Sequence, residues 1–461
     1  METGNALNLN MTPWLRCQLN IKPWEISGRV ESITGSSIRA RIGNVALGEM
    51  VHILTSRVEA GANESLESTQ KSVRAFVSAT TNDTAMLSTL ENANGIKPGD
   101  AVISRRESLS ISASPALLGS VVDSLGNATY RHSNIGDSPR FYHCKNAMLP
   151  ISNSPTDAMS RKSIRERFVT GIRAIDAFIP IGQGQRLAVF AEPGVGKSTL
   201  AAMIAKNSSA DVNVIALIGE RGREVRELLL DTLEPETFRR TVAVVSTSDE
   251  SAISRVNAAL VATTIAEYFS NYGFNVLLQI DSLTRLFRAY REVGLAAGEV
   301  PVRRGYPPSV FAALPRLIER AGPGRIGSIT ALYTVLLSSD MDEDPMVEEV
   351  KSLTDGHIVL TRQLAEQGHY PAIDVLGSIS RLQNKLLSDE LLQITSTLRR
   401  TLAIAKRDRD LAMFGENIDP ELSRILEMAE RINKTLRQAT NDVVTLEDTE
   451  HSMRELLTSH H

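Results

Sequence analysis

The chain has 461 residues, 42% of them hydrophobic and 23% charged, with a formal net charge of −4. This is the composition of an ordinary globular protein of roughly three domains, and it supplies no global basic field for nucleic acid. Two cysteines, Cys17 and Cys144, exclude a disulfide framework and a cysteine-based metal site, which points to a reducing, cytoplasmic setting.

The N-terminal residues have neither a basic start nor an apolar core, so no signal peptide is expected. No apolar stretch approaches the ~18–20 residues of a membrane span, so any membrane association is expected to be peripheral. From Ile26 to Arg105 short segments such as Ser37-Ile-Arg-Ala-Arg-Ile42 alternate apolar and polar residues. That period predicts a small β-barrel or sandwich within a first domain over residues 1–107. The proline-bearing stretch Pro150–Arg161 reads as a surface loop.

Strands and helices alternate over 108–383, the expected second domain. Buried strands are predicted at Leu187–Ala191, Val212–Ile218, Thr241–Thr247, Asn275–Asp281 and Ser328–Leu337, and helices at Glu250–Phe269 and Val310–Arg320. Such alternation predicts a parallel sheet with helices on both faces, and ligands bind such sheets beyond the carboxyl ends of the strands. After Arg381 the strand signal stops. Ser388–Arg407, Pro420–Arg437 and Leu446–Leu457 carry helical periodicity, giving a helical third domain over 384–461. The terminal His460-His461 reads as a frayed end.

Residues 187–206 combine an apolar strand, a glycine turn and Lys197-Ser198-Thr199 at the start of an alanine-rich helix. A nucleoside triphosphate needs this order, because the turn and the helix N-terminus aim backbone N–H groups at phosphate. Lysine adds a cation, and the serine hydroxyl can meet Mg²⁺. Ala191 stands where the pattern expects its first glycine; Gly194, Val195 and Gly196 follow. Pro193 removes one N–H donor, and Glu192 puts a carboxylate near the phosphates unless it points outward.

Asp281 closes an apolar strand, where a carboxylate can hold the hydration shell of Mg²⁺ or cap the next helix. Glu220 follows another apolar strand, where it can polarise an attacking water or simply start a solvated helix. Tyr370 is either an aromatic face for adenine or a core residue, and Arg381 is either an arginine finger or a solvated side chain. Spacing does not choose between these.

Taken together, Gly182-Gln-Gly-Gln-Arg186, Gly219-Glu-Arg-Gly-Arg-Glu224, Asp281-Ser-Leu-Thr-Arg285, Arg303-Arg-Gly-Tyr-Pro-Pro-Ser-Val-Phe311 and Gly368–Ser380 resemble the ATPases of type III secretion and flagellar export. These belong to the wider family of rotary ATPase subunits. The resemblance covers almost the whole chain and is dense from Thr170 to Arg381. It implies a RecA-like P-loop domain between an N-terminal β-barrel and a C-terminal helical domain. That family also has alanine at the position of Ala191.

The resemblance implies ATP as substrate with Mg²⁺. Residues 191–199 would cradle the phosphates, with Ser198 on the metal and Asp281 on its waters. Glu220 would activate water, with Arg221 beside it among the catalytic residues. Arg381 matches the finger position, so one chain carries a site and its completion, which implies a homohexamer. Tyr370 and Phe414 match the two aromatic positions around adenine. Phe414 and Asn417 depart from the usual tyrosine and glycine. The implied partners are central stalk and peripheral stator proteins, secretion chaperones and exported proteins, at the inner membrane near the export gate, with no nucleic acid. A flagellar export ATPase is the alternative, followed by a rotary ATP synthase β-type subunit. A nucleic-acid translocase and a non-hydrolysing scaffold are disfavoured.

Overall fold

Period-two alternation in the N-terminal quarter becomes a closed barrel in the computed structural model. The structure describes residues 26–34, 37–59, 67–90, 93–132, 139–337, 344–414 and 420–458; side chains of 56–59, 67–71 and 409–414 lie outside that description. So do Cys17, Asn417 and His460-His461. The described residues divide into two compact units at the Leu109–Ser110 junction.

In the first unit six antiparallel strands close in the order Ile26–Thr34, Ser37–Arg41, Thr84–Thr89, Glu67–Thr80, Met50–Glu59 and Ala101–Glu107. Ile38 and Ala40 point inward while Arg39 and Arg41 are exposed, so each strand contributes one face to the core. Val30, Val51, Ile53, Val73, Leu87 and Val102 complete that core. Closure pairs every strand edge.

The second unit is built on a ten-stranded sheet. Its order runs Ile379–Ser380, Gly356–Leu360, Arg186–Ala191, Ser328–Leu336, Asn275–Asp281, Val212–Glu220, Thr241–Thr247, Ser120–Val122, Ala128–Arg131, with Gly322–Pro323 pairing beside Ser328–Leu336. The seven strands from Gly356–Leu360 to Ser120–Val122 are parallel, and antiparallel strands close both edges. Every residue of Val212–Glu220 is buried, as a central parallel strand requires.

All five strands expected in this region are present, shifted by at most two residues at their ends. Gly356–Leu360 was not expected, since five residues with alternate half-exposed positions give little signal. The helix expected from Glu250 starts at Ala252. Glu250 is used earlier, accepting from the Ser246 hydroxyl at 3.0 Å and the Thr247 N–H at 3.2 Å, and Ser251 caps the helix instead.

Three long helices follow, Asp389–Phe414, Pro420–Leu436 and Leu446–Thr458. Leu391, Ile394, Leu398, Leu402 and Ala405 form a helical stripe. They join Ile432, Met453, Leu187, Leu200 and Leu332 in one apolar cluster. Burying a side chain such as Leu398 or Ile432 contributes ~1.5–3 kcal/mol. The C-terminal helices thus share a core with the sheet that carries the phosphate loop. No helix among the described residues is long and apolar enough to cross a membrane.

Candidate active site

The strand Arg186–Ala191 is held between two parallel neighbours and ends fully buried at Ala191. The chain then turns through Gly194 (φ +83°) and Gly196 (φ +92°), left-handed conformations that favour glycine. Gly196 is the N-cap of the helix Lys197–Asn207 and offers no capping side chain. The first-turn N–H groups therefore remain available at the mouth of the loop. Val195 is buried and pins the loop to the core, while Ser198 and Thr199 are exposed on the first turn.

Three charged side chains from different strands and a helix meet behind this loop. The Lys197 ammonium contacts the Asp281 carboxylate and lies 3.9 Å from Glu220 Oε1. Asp281 and Glu220 end neighbouring parallel strands in which Leu217 pairs with Asp281. A register shift between Ile218 and Glu220, with Gly219 at φ +67°, takes Glu220 out of the regular ladder. A Cβ on Gly219 would stand 3.1 Å from Arg285 Cδ, so the glycine also admits that side chain.

Arg285 donates to Glu220 Oε2 at 3.0 Å and to the Gly219 carbonyl. Its part in the site was missed by the residue-level reading. The available signal was its position one helical turn beyond Asp281, on the helix Leu283–Ala296.

Burial pushes the Glu220 carboxyl above the usual carboxylate range; Lys197 and Arg285 pull it down, while Asp281 and Glu224 push it up. Its Oε1 is buried without a hydrogen-bond partner among the described residues. Such an oxygen, facing a cation across 3.9 Å, can accept a proton from a water held beside it.

The remaining expected residues fall in different places. Glu192 turns to Arg362, whose Nε lies 3.4 Å from its Oε2, so the awkward carboxylate is matched by a cation. Tyr370 is 48% exposed, and two of its ring carbons lie 3.7 and 3.8 Å from where a Cβ on Gly196 would stand. It is therefore a face at the loop mouth and not a core residue. Arg221 is solvent-facing and pairs with Glu224 at 3.7 Å, apart from the Lys197 cluster. The side chain of Phe414 lies outside the described residues.

Arg381 stands at the opposite end of the sheet. Its N–H donates to the Asp355 carbonyl, and the Asp355 N–H donates to the carbonyl of Arg186, where the phosphate-loop strand begins. Five strand rises, ~16 Å, separate that end from Ala191. Its exposed guanidinium donates to the Lys351 carbonyl at 3.2 Å.

This arrangement of strand, loop and acidic strand ends can be compared with known proteins. Residues 171–380 match the ATP synthase alpha/beta family, nucleotide-binding domain, and 387–455 match the T3SS EscN ATPase C-terminal domain. The type 3 secretion system ATPase of Xanthomonas euvesicatoria is 41% identical over 435 residues, covering 94% of this chain and 93% of that protein. The chain belongs to the ATPase family of type III secretion systems and flagella. The flagellum-specific ATP synthase of Treponema pallidum (strain Nichols) is 40% identical, over 93% of this chain and 92% of its own length. The assembled ATPase EscN of the enteropathogenic E. coli type III secretion system superposes with a TM-score of 0.82 at 40% identity, over 93% of this chain and 100% of that one. The members of this family are ATP-hydrolysing enzymes, and the fold described above is theirs: a RecA-like nucleotide domain, a barrel before it and helices after it.

Proposed function

We propose that this export ATPase serves a type III secretion injectisome, hydrolysing ATP with Mg²⁺ to release chaperones and hand over exported proteins. The observation that carries hydrolysis is the convergence of Lys197, Asp281, Glu220 and Arg285 at the carboxyl ends of neighbouring strands. The match of 387–455 to a C-terminal domain named for a type III secretion ATPase supports the injectisome. The similarity to flagellum-specific proteins keeps flagellar export as the second reading.

In this reading residues 191–199 cradle the triphosphate, Lys197 meets its outer oxygens, and Glu220 takes a proton from the attacking water. The donors fit magnesium: the exposed Ser198 hydroxyl and the Asp281 carboxylate are hard oxygen ligands. Bound there, the ion would neutralise charge on the phosphate oxygens. Tyr370 offers a face to adenine, and Phe414 is the second aromatic residue that the family resemblance assigns to the base. Residues 1–107 serve ring assembly, 108–383 hydrolysis, and 384–461 form the helical domain.

Arg381 is exposed ~16 Å from its own loop along the strand, which supports its acting on a neighbouring subunit in a homohexamer. The structure of assembled EscN with its central stalk EscO supports a ring that meets a stalk. Stator proteins, chaperones and an inner-membrane location at the export gate complete the reading. Cells lacking the chain are expected to stop secreting needle subunits while still swimming. Lost motility with intact needle secretion would favour the flagellar reading.

Glu192 and Arg362 yield a separate prediction. Arg362→Ala leaves the Glu192 carboxylate unmatched beside the phosphates, so the KM for ATP is expected to rise about threefold, the scale of an exposed ion pair. Removing both with Glu192→Ala should return KM to its starting value. An unchanged KM in Arg362→Ala alone would show that Glu192 does not face the nucleotide's charge.

A further inference from the structure

We propose that Gln438 is a positioning residue for nucleotide base recognition, fastening the Tyr370 segment to the C-terminal helices and to the far end of the phosphate-loop helix. The proposal rests on the reading of Tyr370 as the face for adenine. Gln438 lies two residues past the helix Pro420–Leu436 and is 4% exposed. Its backbone N–H donates to the Tyr370 carbonyl at 2.9 Å. Its side-chain Nε2 donates to the Gly171 carbonyl at 2.8 Å and the Asp442 carbonyl at 3.4 Å, and its Oε1 accepts from the Arg173 N–H at 3.1 Å.

These bonds lock the backbone that holds Tyr370. The Arg173 guanidinium donates to the carbonyls of Thr435 and Arg437 at 2.8 and 3.3 Å, closing the end of the same helix. A Cβ on Gly171 would stand 2.5 Å from Asn207 Cβ, so the 170–173 loop lies directly against the last residue of the phosphate-loop helix. Asn207 in turn donates to the Asp442 carbonyl at 3.3 Å. Gln438 therefore joins, through its backbone N–H on one side and its side-chain amide on the other, the Tyr370 segment beside Gly196 to the opposite end of the helix that the loop starts.

An exposed ring binds a base well only if its backbone is already in place, since ordering it on binding subtracts from affinity. The side-chain hydrogen bonds of Gln438 go to Gly171, Arg173 and Asp442 rather than to residues 194–199, so loss of the side chain should loosen base recognition and spare the phosphates.

The test compares Gln438→Met, of similar volume, with the unmodified full-length protein. The readouts are KM and kcat for ATP and the inhibition constant of inorganic tripolyphosphate, which has no base. The expected result is a KM for ATP raised about tenfold, the scale of a lost base–aromatic stack. Turnover should stay within about twofold and tripolyphosphate inhibition should be unchanged. An unchanged KM, or an equal weakening toward ATP and tripolyphosphate, would overturn the proposal. If Gln438→Met does not fold, Arg173→Met tests the same link by freeing Thr435 and Arg437, with the same expected split. Tyr370→Ala separates the two layers. If it leaves KM unchanged, the adenine face falls and the proposal with it; if it raises KM while Gln438→Met does not, only the Gln438 assignment falls.

Discussion

Glu220→Gln is expected to bind ATP with near-normal affinity and to lose about 10³-fold in turnover, as when a general base is removed. The substitution keeps the shape at the end of Val212–Glu220 and one acceptor oxygen for Arg285, which donates to Oε2 at 3.0 Å in the native protein. It removes the anion that faces Lys197 across 3.9 Å. Such a loss corresponds to about 4 kcal/mol of transition-state stabilisation. Nucleotide binding followed by fluorescence and turnover followed by phosphate release separate the two effects. Loss of binding together with turnover would make Glu220 a support for the fold of the loop.

The same carboxylate should set the acid limb of the pH–rate profile. Its pKa is raised, chiefly by burial, and only the ionised form can take a proton. Activity therefore falls, as pH drops, at a higher pH than an ordinary glutamate would give. Arg285→Gln removes a cation that pulls this pKa down, so the limb should move further upward. A limb that stays in place would separate Glu220 from the proton transfer.

Arg381→Ala is expected to cost about 10³-fold or more in turnover, the scale of a missing arginine finger. The residue begins far from its own phosphate loop, and its guanidinium now rests on the Lys351 carbonyl. On the proposed reading its effect is delivered to another subunit. Mixing Arg381→Ala subunits with Glu220→Gln subunits provides the check. In a ring formed at random from equal parts, about a quarter of the interfaces combine an intact Glu220 with an intact Arg381. Activity should return to about a quarter of normal on that count. No recovery, from rings shown by mass to be mixed, would argue that Arg381 acts within its own chain or only holds the sheet edge.

Much of this is legible in the sequence. The Lys197 turn announces itself because strand, glycines and helix start are neighbours in the chain. Alternating segments read as a barrel since one face of each strand is buried, as Ile38 and Arg39 illustrate. The strand Gly356–Leu360 is not legible in the sequence because five residues, alternately buried and half-exposed, carry too short a pattern, although it borders the phosphate-loop strand. Tyr370 could not be assigned from its neighbours, because the same residue types suit a core position and an exposed face.

By itself the sequence determined the local chemistry: a phosphate-type loop, acids at strand ends, a barrel before and helices after. Those features depend on short-range periodicity and on residues adjacent in the chain. Only the tertiary structure decided which partners those groups meet. Arg285 reaches Glu220 across 65 positions, and Gln438 reaches Gly171 across 267. Glu192, unreadable in isolation, is turned toward Arg362 on the segment that also carries Tyr370. Contacts of that span leave no local pattern, because parallel strands bring together segments whose separation is set by the helices and loops between them.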